Sequence, residues 1–416
     1  METLTFLFTS SFYPPYHLGG DAVHVKYVAD ELAKRGHEVH VLHSLDAYRV
    51  KRPPKGYAVE SESVRTHRIE TPLSLSAYWA YVQGRSHAVT KRFREILRET
   101  TPDVVHHHNV SLLGYNILAR QGNYVNLHTA HDYWLFCQQS NLLKFGRALC
   151  IEKNCLACSL VTARPRQIWR RDPIFKRAVQ ELDCIIAPSR FMLETLRRNL
   201  PDVNMRHIAN FAPRAEAHVQ SRQETKSPHL MYMGALEHRK GVILLLEEYA
   251  KSALREIVPL RVVGTGPLES KIAEFTRSKK LEAHVSMLGS LPSPAARQEL
   301  LNSVALILPS IWYENAPLVA LEAMSMGTPP IGSDLGGLPE IVEPVNPRLI
   351  FSWNESKGLE RSLRFALSCQ RDLRESARNA FNSLFCPERY VSSYVDLIVT
   401  CSRQKKTRTT NRSLDR

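Results

Sequence analysis

The sequence predicts an α/β protein made of two doubly wound, mainly parallel sheets. Three observations predict it. Short apolar runs alternate with helical stripes along most of the chain, the rhythm that builds parallel sheets. The runs end in Gly, Pro or Ser, as strands feeding loops do. One long polar stretch, residues 213–228, divides the series into halves of about 200 residues, an ordinary domain size.

Residues 4–8 form the first apolar run and read as a strand. A turn-rich stretch leads to Gly20. From Asp21 the pattern is helical, because Val25, Val28, Ala29, Leu32 and Ala33 recur on one face. Gly36 stops that helix after Lys34 and Arg35, and Val39, Val41 and Leu42 begin the second strand. Residues 104–105, 125–127 and 184–187 read as further strands, and 93–97 and 191–200 as helices. Beyond the polar stretch, strands are expected at 230–233, 260–263, 285–288, 304–308 and 330–331. The expected division is an N-terminal domain over 1–212, a linker over 213–228, and a C-terminal domain over 229–401 whose last helix is free to pack back on the first. A basic, disordered tail over 402–416 follows.

The 416 residues carry 55 Lys and Arg against 41 Asp and Glu, a net charge of +14. An even spread would suggest a nucleic-acid binder. The spread is uneven: residues 1–200 hold 27 basic and 18 acidic side chains, 201–401 hold 22 of each, and 402–416 hold 6 and 1. Nucleic acid is therefore not the expected partner. No run of about 18 apolar residues offers a membrane-spanning helix. The first residues lack the basic and long apolar regions of a secretion signal. The 8 cysteines are too thinly spread for a disulfide scaffold. A cytoplasmic protein is expected.

In open α/β sheets, ligands bind beyond the carboxyl ends of strands, beside helix N-termini. With two such sheets the expected site is an interdomain cleft where those ends face each other. Gly19 and Gly20 follow the first strand, where absent Cβ atoms let an anion approach a helix start. A tight turn would use the same residues. Gly264-Thr265-Gly266-Pro267 follows another strand and is equally well a strand-to-helix turn; no Gly-x-Gly-x-x-Gly fingerprint supports a dinucleotide. The richest segment runs from Pro309 to Met324. Pro317 suits the first helical position, which leaves the N–H groups of Leu318 and Val319 for an anion. Glu314 lies just before that helix start, and Glu322 more than one turn down it. A phosphate with hydroxyl-bearing groups on both sides suits this arrangement. Lys240, followed by Gly241, lies beyond the first strand of the second half, as a phosphate cation or as an ordinary surface residue.

Residues 304–342 resemble the donor-site signature of retaining glycosyltransferases of family 4, which have the GT-B fold of two Rossmann-like domains. The match includes Glu314-x7-Glu322, Met326-Gly327-Thr328-Pro329 and Gly336-Gly337-Leu338-Pro339-Glu340. Tyr13-Pro14-Pro15 with Gly19-Gly20, Pro102-Asp103-Val104-Val105-His106, His131-Asp132-Tyr133-Trp134, Pro188-Ser189-Arg190 and Lys240-Gly241-Val242 fit the family in order. The resemblance implies sugar transfer, with retention, from a nucleotide-diphosphate sugar to an acceptor hydroxyl, in polysaccharide or glycolipid synthesis. It places the donor in the C-terminal half and the acceptor in the N-terminal half. It implies Glu322 on the ribose hydroxyls, Glu314 near the donor sugar, and the amides of Leu318, Val319 and Gly20 on the diphosphate, with charge from Lys240. His131 would face the donor sugar, so Glu314 and His131 are the catalytic candidates. Gly19 and Gly266 join the donor-binding set. No metal is implied for catalysis. Leaving-group charge would be stabilised by N–H dipoles and cations, with attack on the front face; Glu314 as a covalent nucleophile stays open. One departure stands out. Ala235 follows Gly234 where the family often has Arg, and Arg239 with Lys240 is expected to replace that charge.

Cys137, Cys150, Cys155 and Cys158 give the spacing C-x12-C-x4-C-x2-C. They could hold a structural zinc, stay reduced, or pair as disulfides. His106, His107 and His108 are read as strand-end residues, with the middle one on the opposite face. Arg164, Arg166, Arg170, Arg171, Lys176 and Arg177 form either a solvated face or a dock for an anionic membrane surface at its inner side, where a lipid-linked acceptor would be found. Rival readings are a GT-B nucleotide-sugar 2-epimerase and a non-catalytic basic polymer binder.

Overall fold

The computed structural model describes residues 3–51, 62–215, 228–355 and 357–414, with side chains described as far as Lys405. The chain forms two compact units. The first comprises Met1–Gly146, Cys150–Ala209 and Glu388–Arg416, and the second Arg147–Leu149 and Asn210–Pro387.

In the first unit, seven strands are all parallel: β1 (Thr5–Thr9), β2 (Glu38–Ser44), β3 (Arg65–Ile69), β4 (Val104–His107), β5 (Val125–Thr129), β6 (Cys184–Ala187) and β7 (Met205–His207), in the order β3-β2-β1-β4-β5-β6-β7. Phe6, Leu7 and Phe8 are wholly buried because helices cover both faces of a parallel sheet, and such strands need apolar residues at every position. The helix Gly20–Lys34 turns Ala22, His24, Val25, Val28, Ala29 and Leu32 inward, and Gly36 follows it at φ 84°. The edge strands β3 and β7 are polar and half exposed, which hides them from any reading that looks for apolar runs.

The second unit repeats the winding. Strands β8 (His229–Met233), β9 (Leu260–Val263), β10 (Val285–Gly289), β11 (Ser303–Leu308), β12 (Pro330–Ser333) and β13 (Ile350–Phe351) are parallel in the order β10-β9-β8-β11-β12-β13. Both expected doubly wound halves are thus present. In each, the order reverses once, between β1 and β4 and between β8 and β11. That reversal opens a crevice at the carboxyl ends of the two strands. Close backbone approach shapes the second crevice. A Cβ on Gly264, which sits at φ 131°, would lie 1.9 Å from the carbonyl oxygen of Gly234.

Three sequence expectations change. Pro317 is the N-cap, and the helix begins one residue later, as Leu318–Ser325. Residues 402–414, expected to be disordered, continue the helix Pro387–Leu414. That helix groups with the first unit, where Tyr390, Tyr394, Leu397, Ile398 and Cys401 are buried. Most of the expected linker, residues 216–227, lies outside the described residues. Among those described, no helix is long and apolar enough to cross a membrane.

A buried cation ties the second sheet at its amino end. Arg374 reaches the carbonyls of Gly327 (3.3 Å), Leu301 (3.0 Å) and Ser303 (2.5 Å). Arg374→Met strands those acceptors and is expected to lower the unfolding free energy by about 3 kcal/mol, read as a shift in urea midpoint with unchanged m-value.

Candidate active site

The second crevice is built from the loops after β8 and β11. The short 3-10 turn His238–Lys240 ends at Gly241, whose φ is 72° and whose Cβ would fall 1.6 Å from the carbonyl oxygen of Pro309. Only glycine permits that contact, and it brings Lys240 against the β11 loop. Lys240 Nζ donates to Glu314 Oε1 at 2.7 Å, and Ser310 Oγ donates to the same oxygen at 2.7 Å. Glu314 is 5 % exposed. Burial pushes its carboxyl up, but the Lys240 charge and the hydrogen bonds of Lys240 and Ser310 outweigh burial and hold it below its ordinary value. It is therefore ionised at neutral pH.

Arg239 lies on the same loop. Its guanidinium pairs with Glu237 at 2.6 Å and sits 4.3 Å over the ring of Trp312, with Lys240 Nζ at 5.3 Å from that ring. Two cations thus lie over one indole ring beside a buried carboxylate. The loop after β12 closes the other side. Gly337 N–H donates to the Glu314 carbonyl at 2.7 Å, and a Cβ on Gly336 would lie 2.1 Å from that oxygen. The helix Leu318–Ser325 starts here, so Leu318 and Val319 supply first-turn N–H groups that have no acceptor within the helix. Glu322 stands half-buried one turn on. Gly266 is engaged differently: its N–H donates to Glu269 Oε1 at 2.7 Å, and its Cβ would strike Leu236. Ala235 receives the Tyr232 hydroxyl on its carbonyl.

The first crevice is built from residues after β1, β4 and β5. Gly19 caps the helix Gly20–Lys34 at φ 82°. Asp21 Oδ2 accepts from Asn109 Nδ2 at 2.7 Å, and burial pushes the Asp21 carboxyl up. His131 follows β5. Its Nε2 meets His108 Nδ1 at 2.9 Å, and His24 packs edge-on at 5.1 Å between ring centres. Burial lowers His131 to about 3, so its ring is neutral. Among the described residues, His24, His108 and His131 are the group whose ligand atoms lie within 4.8 Å of one another. His106 stacks on His108 at 4.1 Å and bonds Thr129 and Tyr394, whereas His107 points to the other face, to Thr9 and Asn126. The alternation along β4 follows the sequence, but His108 joins a cluster of imidazoles that the sequence did not assemble.

Residues 18–214 match the family described as Glycosyltransferase Family 4, and residues 213–382 match Glycosyl transferases group 1. The chain belongs to glycosyltransferase family 4. Curated relatives of this glycosyltransferase include the 2-deoxystreptamine N-acetyl-D-glucosaminyltransferase of Streptomyces fradiae, 27% identical over 83% of this chain and 82% of that one. The N-acetyl-alpha-D-glucosaminyl L-malate synthase of Bacillus anthracis is 21% identical over 94% and 96%. Sucrose-phosphate synthase from Thermosynechococcus elongatus shares the fold with a TM-score of 0.69, at 18% identity over 98% of this chain and 100% of that one.

The structure places Glu314, Lys240, Leu318 and Val319, singled out by the sequence, on the loops of one crevice; the sequence assigned no role to Ser310, Trp312, His24, Asp21 or Asn109. Ser310 and Trp312 lie within the segment singled out, and Asn109 directly follows His108 at the end of β4, so proximity to the motifs was the available signal. In this glycosyltransferase Lys240→Ala is expected to cost about 3 kcal/mol near neutral pH, because it leaves Glu314 buried and unpaired. The wild-type pair stabilises fully above the unfolded carboxyl pKa and loses that contribution as pH falls through the folded one. In the variant only hydrogen bonds such as that of Ser310 still oppose burial, the carboxyl moves up, and the stability gained as pH rises through the carboxylate range shrinks. Denaturant series across that range distinguish the two slopes.

Proposed function

We propose that this protein moves a sugar from a nucleoside-diphosphate sugar to an acceptor hydroxyl with retention at the anomeric carbon, in the making of a polysaccharide or glycolipid. The observation that carries this reading is the helix Leu318–Ser325: its N-terminus opens beside the Lys240–Glu314 pair, and it carries Glu322. Its first-turn amides and positive dipole end suit the diphosphate, where charge builds as the glycosidic bond breaks. Lys240 and Arg239 add positive potential and stand in for the arginine replaced by Ala235. Glu322 suits the ribose hydroxyls. Glu314 acts as a fixed negative charge near the donor sugar; one oxygen already takes two hydrogen bonds, which favours electrostatic support over covalent attack. The departing phosphate receives the acceptor proton. The first unit takes the acceptor, with the neutral His131 and the Asp21–Asn109 pair at its strand ends. Family relatives that make amino-sugar glycosides and the fold shared with sucrose-phosphate synthase support sugar transfer without fixing the sugar.

A donor screen over UDP-, GDP- and ADP-sugars tests this. Turnover of one donor is expected, with Glu322→Ala lowering kcat/KM at least about tenfold, the loss of a charged hydrogen bond. Lys240→Ala should weaken donor binding, and product NMR should show retention. Equal turnover in Glu322→Ala removes the donor assignment; a C2-epimerised product, or salt-sensitive polymer binding with no turnover, replaces the reading.

We further infer docking to an anionic membrane surface at the cell's inner face. Arg164, Arg166, Arg171 and Lys176 are exposed, and Leu73, Tyr78, Trp79 and Ile168 are exposed apolar residues of the same unit. The indole of Trp169 joins the turn Ile168–Arg171 to the helix Leu75–Gln83 through the Tyr81 carbonyl. Basic residues around apolar tips suit headgroups above an acyl boundary. Arg170 does not take part: it is caged by Trp134, Trp169 and Phe175. Replacing Arg164, Arg166 and Arg171 with Ala should weaken binding to phosphatidylglycerol vesicles roughly a hundredfold, at about 1 kcal/mol each. Unchanged binding would sink the docking surface and leave the transfer reading intact.

A further inference from the structure

The segment between β5 and β6 carries a group of side chains that sugar transfer does not use. We propose that Cys137, Cys150, Cys155 and Cys158 bind one Zn2+ as four thiolates, a structural site that pins the segment following the His131 strand end.

Local structure brings the four together. Cys137 N–H closes a turn on the Tyr133 carbonyl at 2.8 Å, and Cys150 N–H returns to the Leu142 carbonyl at 2.8 Å. The helix Cys155–Val161 starts at the third cysteine, capped by Asn154, whose side chain accepts from Ala157 N–H at 3.1 Å. The fourth follows one turn later on the same helix face. All four line one cavity of about 20 Å³, walled also by Phe136, Leu142 and Leu143. All four are free thiols in this structure.

Charge balance fits the site. A dication bound by four thiols releases their protons and leaves the sulfurs as thiolates. A zinc tetrathiolate keeps a net charge of −2, and the surroundings offset it. Lys144 and Lys153 line the same cavity. The buried Nη2 of Arg170 has no hydrogen-bond partner.

The segment also has reason to need a staple. Ile151, Leu156, Leu160 and Val161 are exposed, so the helix Cys155–Val161 buries little apolar surface of its own. Of nine non-glycine residues at positive φ among the described residues, four fall here: Ser140, Leu142, Phe145 and Ala163. Such backbone persists only where something over-determines it. Four thiolates with no open position suit zinc in a closed tetrahedral site. The sulfurs are more widely spaced than the 4.8 Å group of histidines, so binding would draw the segment inward and order it.

The full chain, purified under reductant without chelator, tests this by metal analysis and cobalt substitution. One zinc per chain is expected, and Co2+ should give the charge-transfer band of thiolate ligation with the visible bands of a tetrahedral ion. Cys155→Ser should weaken metal affinity at least about tenfold, while Cys369→Ser keeps it. Where Cys155→Ser fails to fold, the wild-type cobalt spectrum decides. Absence of metal with no thiolate band, iron with acid-labile sulfide, a disulfide among the four, or zinc that survives Cys155→Ser and leaves in His131→Ala would each overturn the proposal.

Discussion

The second unit is organised around one requirement: a carboxylate buried at the sheet's reversal point needs a cation. Glu314 sits after β11 and Lys240 after β8, and their 2.7 Å contact joins two loops whose strands are neighbours in the sheet but far apart in sequence. The glycines make sense only in that light. Gly241 lets the Lys240 turn touch Pro309, and Gly336 lets the β12 loop lie on the Glu314 backbone. Trp312 then has a defined place, with two cations over its ring. The helix start at Leu318 is consequently held at a fixed distance from positive charge, as an electrostatic site requires of its dipoles before any ligand arrives.

The first unit solves a different problem with neutral groups. Its crevice floor is a stack of imidazoles, His106, His108 and His131 with His24, shut away with Tyr390 and Tyr394. Burial lowers each of these histidines, and their mutual repulsion would add to the cost of charging any one. Hydrogen bonds with Thr129 and Tyr394, one accepted and one donated by the ring, satisfy His106 without charge. The floor of this crevice is thus uncharged, in contrast to the ion pair of the second.

Much of this was legible in the sequence. The buried strands announce themselves because both faces of a parallel sheet demand apolar residues, so β9 was read at its full length and β8 and β11 to within a residue. The edge strands β3, β7 and β13 were not, being polar or only two residues long. Glu314 and the helix amides were legible because Pro317 marks a helix start. Their partners were harder. Ser310 and Trp312 carry no spacing signal, and the pairing of Asp21 with Asn109, or His24 with His131, exists only after β1, β4 and β5 are set side by side. The tail shows the opposite failure: a basic, polar composition suggested disorder, yet its backbone continues the helix begun at Pro387. Arg170 shows another, since a position inside a basic run said nothing about its aromatic cage.

The last helix has a consequence for how the molecule is made. Tyr394 stacks on Phe6 and bonds His106, so the middle of the first sheet is covered by residues almost four hundred positions downstream of its first strand. During synthesis the whole of 210–387 is polymerised before those tyrosines are added. The unit that begins the chain is thus the last to close its core, and until then an imidazole-rich face lies open to water. The second unit, continuous but for three residues, can finish first. Chain order and completion order are reversed, and a ribosome stalled late leaves the first sheet, not the second, unfinished.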